Sequence, residues 1–276
     1  MRWSDSAAAV ISAAASGTSR RHRKRSVQLI LAHAHGTLTT STGAFAYSHI
    51  SAARLCSLYL WDVPDTVHIT QQTHPATSTH GAGVAAHTRK LAPGDLATVN
   101  GLPCTSLERT VVDCCLLLNY RQSLILMDHA LRLGADEDNL REACARLAGR
   151  NGVKTLRRVL DTADARSESA GETLCRELLS RLNIKAPTLQ MEVRTSAGLH
   201  RMDFGWKEER VALEFDGRTK YFDYAPTDQV LFEERNREKA LTNEGWRVIR
   251  IGWKHLFREQ EFKTLILQAL RNQAAR

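Results

Sequence analysis

Apolar residues recur along this chain at two spacings, and the spacing changes near residue 165. Between residues 48 and 60, Ile50, Ala53, Leu55, Leu58 and Leu60 suit a short helix. Val67–Thr70 reads as a strand, the polar Gly/Thr-rich residues 71–83 as a loop, and Gly83–Val99 as one or two short strands around a Pro93-Gly94 turn. Thr105-Ser-Leu-Glu108 has the form of a capping box and predicts a helix running through Val111, Val112, Cys115 and Leu116. Amphipathic helices are predicted over Ser123–Leu133 and Asp138–Leu147. A polar stretch, Asp161–Glu168, then breaks the pattern. Beyond it, Leu174, Leu178 and Leu182 fall on one face of a helix over Ser169–Leu182, closed by Asn183 and Pro187. Three alternating segments follow (Leu189–Thr195, His200–Trp206, Arg210–Phe215), then a helix over Asp228–Glu244 stopped by Gly245, a strand at Trp246–Ile251 and a closing helix at Leu256–Leu270.

The C-terminal order, α-β-β-β-α-β-α, predicts an α/β (α+β) domain with a helix-flanked mixed sheet over residues 166–276. Residues 44–165 are expected to form a mainly helical domain with a few strands. Residues 1–43, rich in Ala, Ser, Thr and Arg, are expected to be a disordered or weakly helical basic leader. The leader is no signal peptide by its pattern: the cationic block Arg20–Arg25 follows the Ala-rich stretch instead of preceding it, and Asp5 interrupts that stretch.

Composition narrows the classes. The 276 residues are 43% hydrophobic and 25% charged, ordinary globular usage that excludes collagen-like and wholly disordered readings. The longest apolar run, Cys114–Leu118, is far short of the roughly 20 residues that cross a bilayer, so no membrane helix and a cytoplasmic location are expected. The six cysteines show no C-x-x-C and no metal-ligand ladder, so buried thiols are expected rather than a disulfide framework or a zinc site. The net charge of +8 is concentrated early: residues 1–50 hold six Lys/Arg against one Asp, and the remainder 32 against 29. Such a basic tail is either simply solvated or adds salt-sensitive affinity for nucleic acid.

Candidate chemistry lies between Arg201 and Tyr221. Strand alternation puts Val211, Leu213 and Phe215 on one side and Ala212, Glu214 and Asp216 on the other. A hairpin with the preceding strand can set Asp203 beside Glu214. Carboxylates converging at a sheet rim raise one another's pKa unless a cation intervenes, and hard oxygen donors suit Mg²⁺ or Mn²⁺. Lys220, in the turn that follows, can return a positive charge to that rim. The alternative reading of the same residues is a solvated polar face, with Asp216-Gly217 as a turn and the carboxylates paired to Arg201, Arg210 or Arg218.

In combination these residues resemble the PD-(D/E)XK phosphodiesterase superfamily, and more closely its DUF559 and very-short-patch-repair (Vsr-like) endonuclease branch. The resemblance rests on Gly171-Glu172, Gln190, Met202-Asp203-Phe204, Leu213-Glu214-Phe215-Asp216-Gly217 with Lys220-Tyr221, Glu234-Arg-Asn-Arg237, Leu241 and Gly245–Arg250. It implies a restriction-endonuclease-like domain, metal-dependent hydrolysis of DNA phosphodiesters, Asp203, Glu214 and Asp216 as ligands of Mg²⁺ (or Mn²⁺), and Glu172 reaching the metal from the helix. Asp216 stands where the superfamily's lysine is expected, and Lys220 would take over the lysine's electrostatic role.

A second resemblance covers the middle of the chain. Tyr47–Leu55, Val67–Thr70 and Gly101–Asp113 are similar to the AbiEi family of antitoxin and transcriptional-regulator-like proteins. It implies DNA and a toxin or other protein as partners. Residues 1–43 lack the winged helix-turn-helix with which such proteins begin. The two expectations are therefore an endonuclease coupled to a regulator-like segment, and a non-catalytic regulator whose nuclease fold only binds. Elsewhere, Arg109 and Asp113 are expected to form an i,i+4 ion pair. His33, His35, His74, His80 and His87 read as loop or surface residues. Trp206, Trp246 and Trp253 read as core, with base stacking as the alternative.

Overall fold

The computed structural model describes residues 18–40, 45–72, 83–217 and 228–274. The chain is of mixed α/β class, and its described residues fall into two compact units, 20–165 and 166–274 (with Thr18 and Ser19 grouped with the latter), each built on one mixed sheet.

In the first unit the order is α1 (Thr18–Thr40), β1 (Phe45–Tyr47), α2 (His49–Leu55), β2 (Val67–Gln71), β3 (Val84–Thr88), a 3₁₀ turn (Pro93–Asp95), β4 (Leu96–Val99), β5 (Leu102–Thr105), α3 (Leu107–Leu117), α4 (Tyr120–Arg132), α5 (Glu137–Arg146) and α6 (Val153–Thr162). The five strands form one sheet in the order β3-β2-β1-β5-β4. β1 runs antiparallel to β2 and parallel to β5, while β2 and β3 pair in parallel with Val67 opposite Val84. This half is thus more sheet-rich than its apolar spacing suggests, because β1, β4 and β5 are only three or four residues long and too short to show alternation.

Of the two expectations for the leader, disordered or weakly helical, residues 18–40 are helical, as α1; residues 1–17 and 41–44 lie outside the described residues. Ser26 and Ile30 are buried and His33 and Ala34 half-buried, the i, i+4, i+7, i+8 stripe of a docked helix. Ile30 packs with Tyr47, Ala52, Leu55, Ile69 and Cys104, and the Tyr47 hydroxyl lies 3.0 Å from His33 Nδ1. The stripe was hard to see because its only large apolar member is Ile30, while neighbouring Leu29 and Leu31 stay exposed. Ile30→Ala should therefore destabilise the unit by about 2–3 kcal/mol, and Leu31→Ala by less than about 0.5 kcal/mol. Urea unfolding of the two variants checks this; equal effects would mean α1 is not docked.

The helical half of this unit closes over Leu124, Leu126, Met127, Leu140, Leu156 and Val159. Helix α4 is capped by Asn119, whose side chain accepts from the Gln122 amide at 3.1 Å while Gln122 Oε1 accepts from the Asn119 amide. The capping box expected at Thr105–Glu108 does not form. Thr105 belongs to β5 and its hydroxyl meets Thr110 at 2.7 Å, Ser106 is the N-cap, and Glu108 instead accepts from the Asp136 amide at 3.2 Å. The strand claims the threonine before the helix can.

The second unit runs α7 (Ala170–Arg181), β6 (Thr188–Thr195), β7 (Gly198–Trp206), β8 (Val211–Phe215), α8 (Asp228–Asn243), β9 (Arg247–Ile251), α9 (Trp253–Leu256) and α10 (Glu259–Ala274). The sheet order is β6-β7-β8-β9, antiparallel except for the parallel β8–β9 pair that the α8 crossover requires. Ser169 caps α7 by accepting from the Glu172 amide at 3.1 Å. Trp206 is almost wholly buried and its indole N–H donates to the Lys185 carbonyl at 2.7 Å. Leu241 and Trp246 pack with Met191, Met202 and Ala212, so the tryptophans at 206 and 246 are core residues. All six cysteines are free thiols, five of them buried.

Candidate functional site

The sequence-predicted carboxylates come from three elements around β8. Leu213 lies opposite Phe204 in the β7–β8 ladder, so the register carries Asp203 alongside Glu214. Asp203 Oδ2 accepts from the Phe215 amide at 2.8 Å, which fixes its carboxylate against the end of β8. Alternation along β8 then separates its side chains. Ala212 packs with Leu241 of α8, and Glu214, two residues on, meets Arg237 of the same helix. Phe215, of the opposite parity, packs where Gly171 of α7 leaves room for its ring.

Glu172 enters from the first turn of α7. Its Oε2 accepts from the Glu168 amide at 2.9 Å and from the Gln190 side-chain amide at 2.9 Å. Gln190 holds φ +50, a left-handed conformation uncommon for a side-chain-bearing residue, at the β6 position facing Asp203. Burial raises the pKa of Glu172 despite the Glu168 hydrogen bond, and Asp203 adds to the rise. Burial likewise raises Asp203 despite the Phe215 hydrogen bond, with Glu214 adding. Asp203 thus bears on Glu172, and Glu214 on Asp203, in a partly dry site.

Glu214 does not stand in an open acidic rim. Arg237 and Arg250 both pair with it, the latter at 3.5 Å, and both also reach Glu234. Asp216 lies past the end of β8, exposed, its amide donating to the Ile251 carbonyl at 2.7 Å. Lys220 lies outside the described residues. The spacing in sequence anticipated Asp203 beside Glu214 and put Glu214 with Asp216 on one side. It did not anticipate the two guanidinium groups, which arrive from α8 and β9, far along the chain.

The first unit carries two features near Arg109. The expected pair with Asp113 is present at 2.9 Å, and Arg109 also meets Asp95 at 3.0 Å. These residues line a cleft of about 900 Å³ together with Arg89, Lys90 and Arg146.

Beside this lies a cluster that sequence spacing missed. His49, His68 and His87 place ligand nitrogens within 4.8 Å of one another, the one such group of three among the described residues. His68 Nδ1 is 3.0 Å from His87 Nε2, and the His49 ring stacks on His87 at 3.7 Å. Burial, followed by the other imidazoles, lowers the pKa of His49 to about 2 and of His68 to about 4, so these rings are neutral near pH 7. His87 is therefore a half-buried strand residue, not a loop or surface histidine. No short motif could announce the cluster, because its members come from the start of α2 and from two strands whose pairing the sequence does not state.

Two mixed sheets with flanking helices and a partly buried carboxylate group beside one of them define the class of this protein as far as its architecture goes. No protein-family model matches the chain. Two curated relatives from Mycobacterium tuberculosis, uncharacterized protein Rv2248 of strain ATCC 25618 / H37Rv and uncharacterized protein MT2308 of strain CDC 1551 / Oshkosh, are each 27% identical to it over 197 residues, 71% of this chain and 70% of theirs.

Proposed function

We propose that residues 166–276 are a metal-dependent DNA endonuclease domain with a restriction-endonuclease-like fold, coupled to an AbiEi-like regulatory domain at residues 44–165, acting in the cytoplasm. The observation that carries this reading is Asp203 beside Glu214 on adjacent strands with Glu172 brought in from α7, in a unit of order α-β-β-β-α-β. The donor chemistry suits a hard divalent cation: it is all carboxylate oxygen, and two members are pushed toward protonation by burial and by their neighbours, a cost that a cation relieves. The geometry would have to close on the ion, because among the described residues no three of these carboxylates bring ligand oxygens within 4.8 Å of one another and Glu214 is held by Arg237 and Arg250. Asp203, Glu214 and Asp216 would hold the ion, with Glu172 reaching toward it. A bound Mg²⁺ or Mn²⁺ supplies Lewis acidity toward a phosphate oxygen and lowers the pKa of a coordinated water. Gln190 orients Glu172, the Phe215 amide orients Asp203, and Lys220 would add positive charge toward the phosphate.

Arg237 and Arg250 on Glu214 favour the second reading, a non-catalytic regulator that binds DNA or a partner protein such as a toxin. Incubating purified protein with supercoiled plasmid and single-stranded DNA in Mg²⁺ or Mn²⁺ separates the two. Nicking that stops with chelator is the expected result. Folded protein that binds DNA but leaves it intact with both metals overturns the first reading in favour of the second.

A further inference from the structure

We infer that His49, His68 and His87 form a binding site for a borderline transition-metal cation, Zn²⁺ first, in the first unit and independent of the carboxylate site. Two imidazole nitrogens on one tetrahedral Zn²⁺, each at about 2.0–2.1 Å, stand roughly 3.3 Å apart. The His68 Nδ1 to His87 Nε2 separation of 3.0 Å is close to that value, and all three ligand nitrogens fall within 4.8 Å. The rings are now near-parallel, His87 against His49 at 16° and against His68 at 12°. Metal binding would replace the His68–His87 hydrogen bond and turn the rings out of their stack so that the nitrogen lone pairs, which lie in the ring planes, meet at one point.

The surroundings are built to hold these rings in place. His49 Nδ1 sits 2.9 Å from Ser48 Oγ, which accepts from Thr70 Oγ1 at 2.8 Å, so a hydroxyl chain orients one ring from behind. The His68 backbone amide donates to Ser51 Oγ at 2.8 Å, tying β2 to α2. His49 itself is held at φ +48, a strained conformation that tertiary contacts must maintain. His49 and His68 are buried and His87 half-buried, which leaves His87 on the side from which an ion enters. The imidazole-only set selects Zn²⁺, Cu²⁺ or Ni²⁺ over Mg²⁺, and three protein ligands leave a position for water or an anion. The charged groups acting on the triad are Arg109 on His49 and Arg54 on His68, and both are paired, with Asp95 and Asp113 and with Asp65.

The test uses the full-length chain without a polyhistidine tag. Metal content after dialysis against Zn²⁺, titration against a chromophoric chelator, and the visible spectrum with Co²⁺ are measured for the wild type, His68→Asn, His87→Gln and the control His200→Gln. One Zn²⁺ per chain is expected in the wild type and control, with binding weakened at least about a hundred-fold in the two triad variants. Tetrahedral d–d bands without a thiolate charge-transfer band are expected with Co²⁺. Absence of a stoichiometric site in the wild type overturns the proposal, as does a thiolate band, because the triad contains no sulfur. Equal affinity in all four proteins overturns it too. The wild-type stoichiometry and spectrum decide the matter even where a variant fails to fold.

Discussion

Replacing Asp203 by Asn, or Glu172 by Gln, should abolish the proposed Mg²⁺-dependent DNA cleavage while leaving the protein as stable as the wild type, or more so. The two effects have one cause. Both carboxylates have pKa values raised by burial and by acidic neighbours, so their negative charges oppose folding at neutral pH. An amide removes the charge and keeps an oxygen. In Glu172→Gln that oxygen can still accept from the Glu168 amide and the Gln190 side chain, and in Asp203→Asn from the Phe215 amide. The lost charge is what a divalent ion requires, and several kcal/mol of metal-borne transition-state stabilisation corresponds to about 10³-fold or more in rate. The pH dependence has a definite sign. A carboxyl raised in the folded state binds protons there that the unfolded chain does not. In metal-free buffer, the contribution of these two carboxyls to wild-type stability therefore rises as pH falls from neutral through the raised values toward the ordinary carboxylate range, opposite in sign to that of the buried His49 and His68, and each amide variant lacks its carboxyl's part of that slope relative to the wild type. Mg²⁺ should raise the wild-type melting temperature and leave the variants' unchanged. Calorimetry with and without Mg²⁺, beside plasmid nicking, measures all of this; variants that still cleave, or that Mg²⁺ still stabilises, would remove these residues from the site.

What the sequence revealed of this architecture depended on element length and on locality. In residues 166–276 the helix with Leu174 and Leu178, the strands ending at Trp206 and Phe215, and the stop at Gly245 are each long or sharply punctuated, and their order could be read directly. In the other unit, β1, β4 and β5 are too short to alternate, and α1 shows one large apolar residue on its buried face. The candidate site divides the same way. Asp203 and Glu214 could be paired because a hairpin is a local object. The clamp of Arg237 and Arg250 on Glu214, and the histidine triad, depend on which distant elements pack together, and residue spacing carries no record of that.

The Gly171→Val variant should lose more than about 4 kcal/mol of stability, enough to unfold the second unit, and the reason joins its fold to its site. Any Cβ at residue 171 would intrude on the Phe215 ring. That ring cannot readily yield, because it also packs in a T-shaped arrangement with Trp253, the centroids 5.2 Å apart. The missing side chain lets α7 approach the end of β8 closely, and this approach brings Glu172 to the neighbourhood of Asp203. Gly171→Ala is the graded version. Its better helix propensity returns about 1 kcal/mol, while overpacking costs about 1–3 kcal/mol, so a net loss of about 1 kcal/mol is expected. The same displacement moves Glu172 relative to Asp203, so any cleavage activity should fall further in Gly171→Ala than its loss of stability explains. Urea unfolding gives the stability, and nicking rates at a temperature where the variant is fully folded give the activity. Wild-type rates in a destabilised Gly171→Ala would show that the close packing of α7 on β8 serves stability alone.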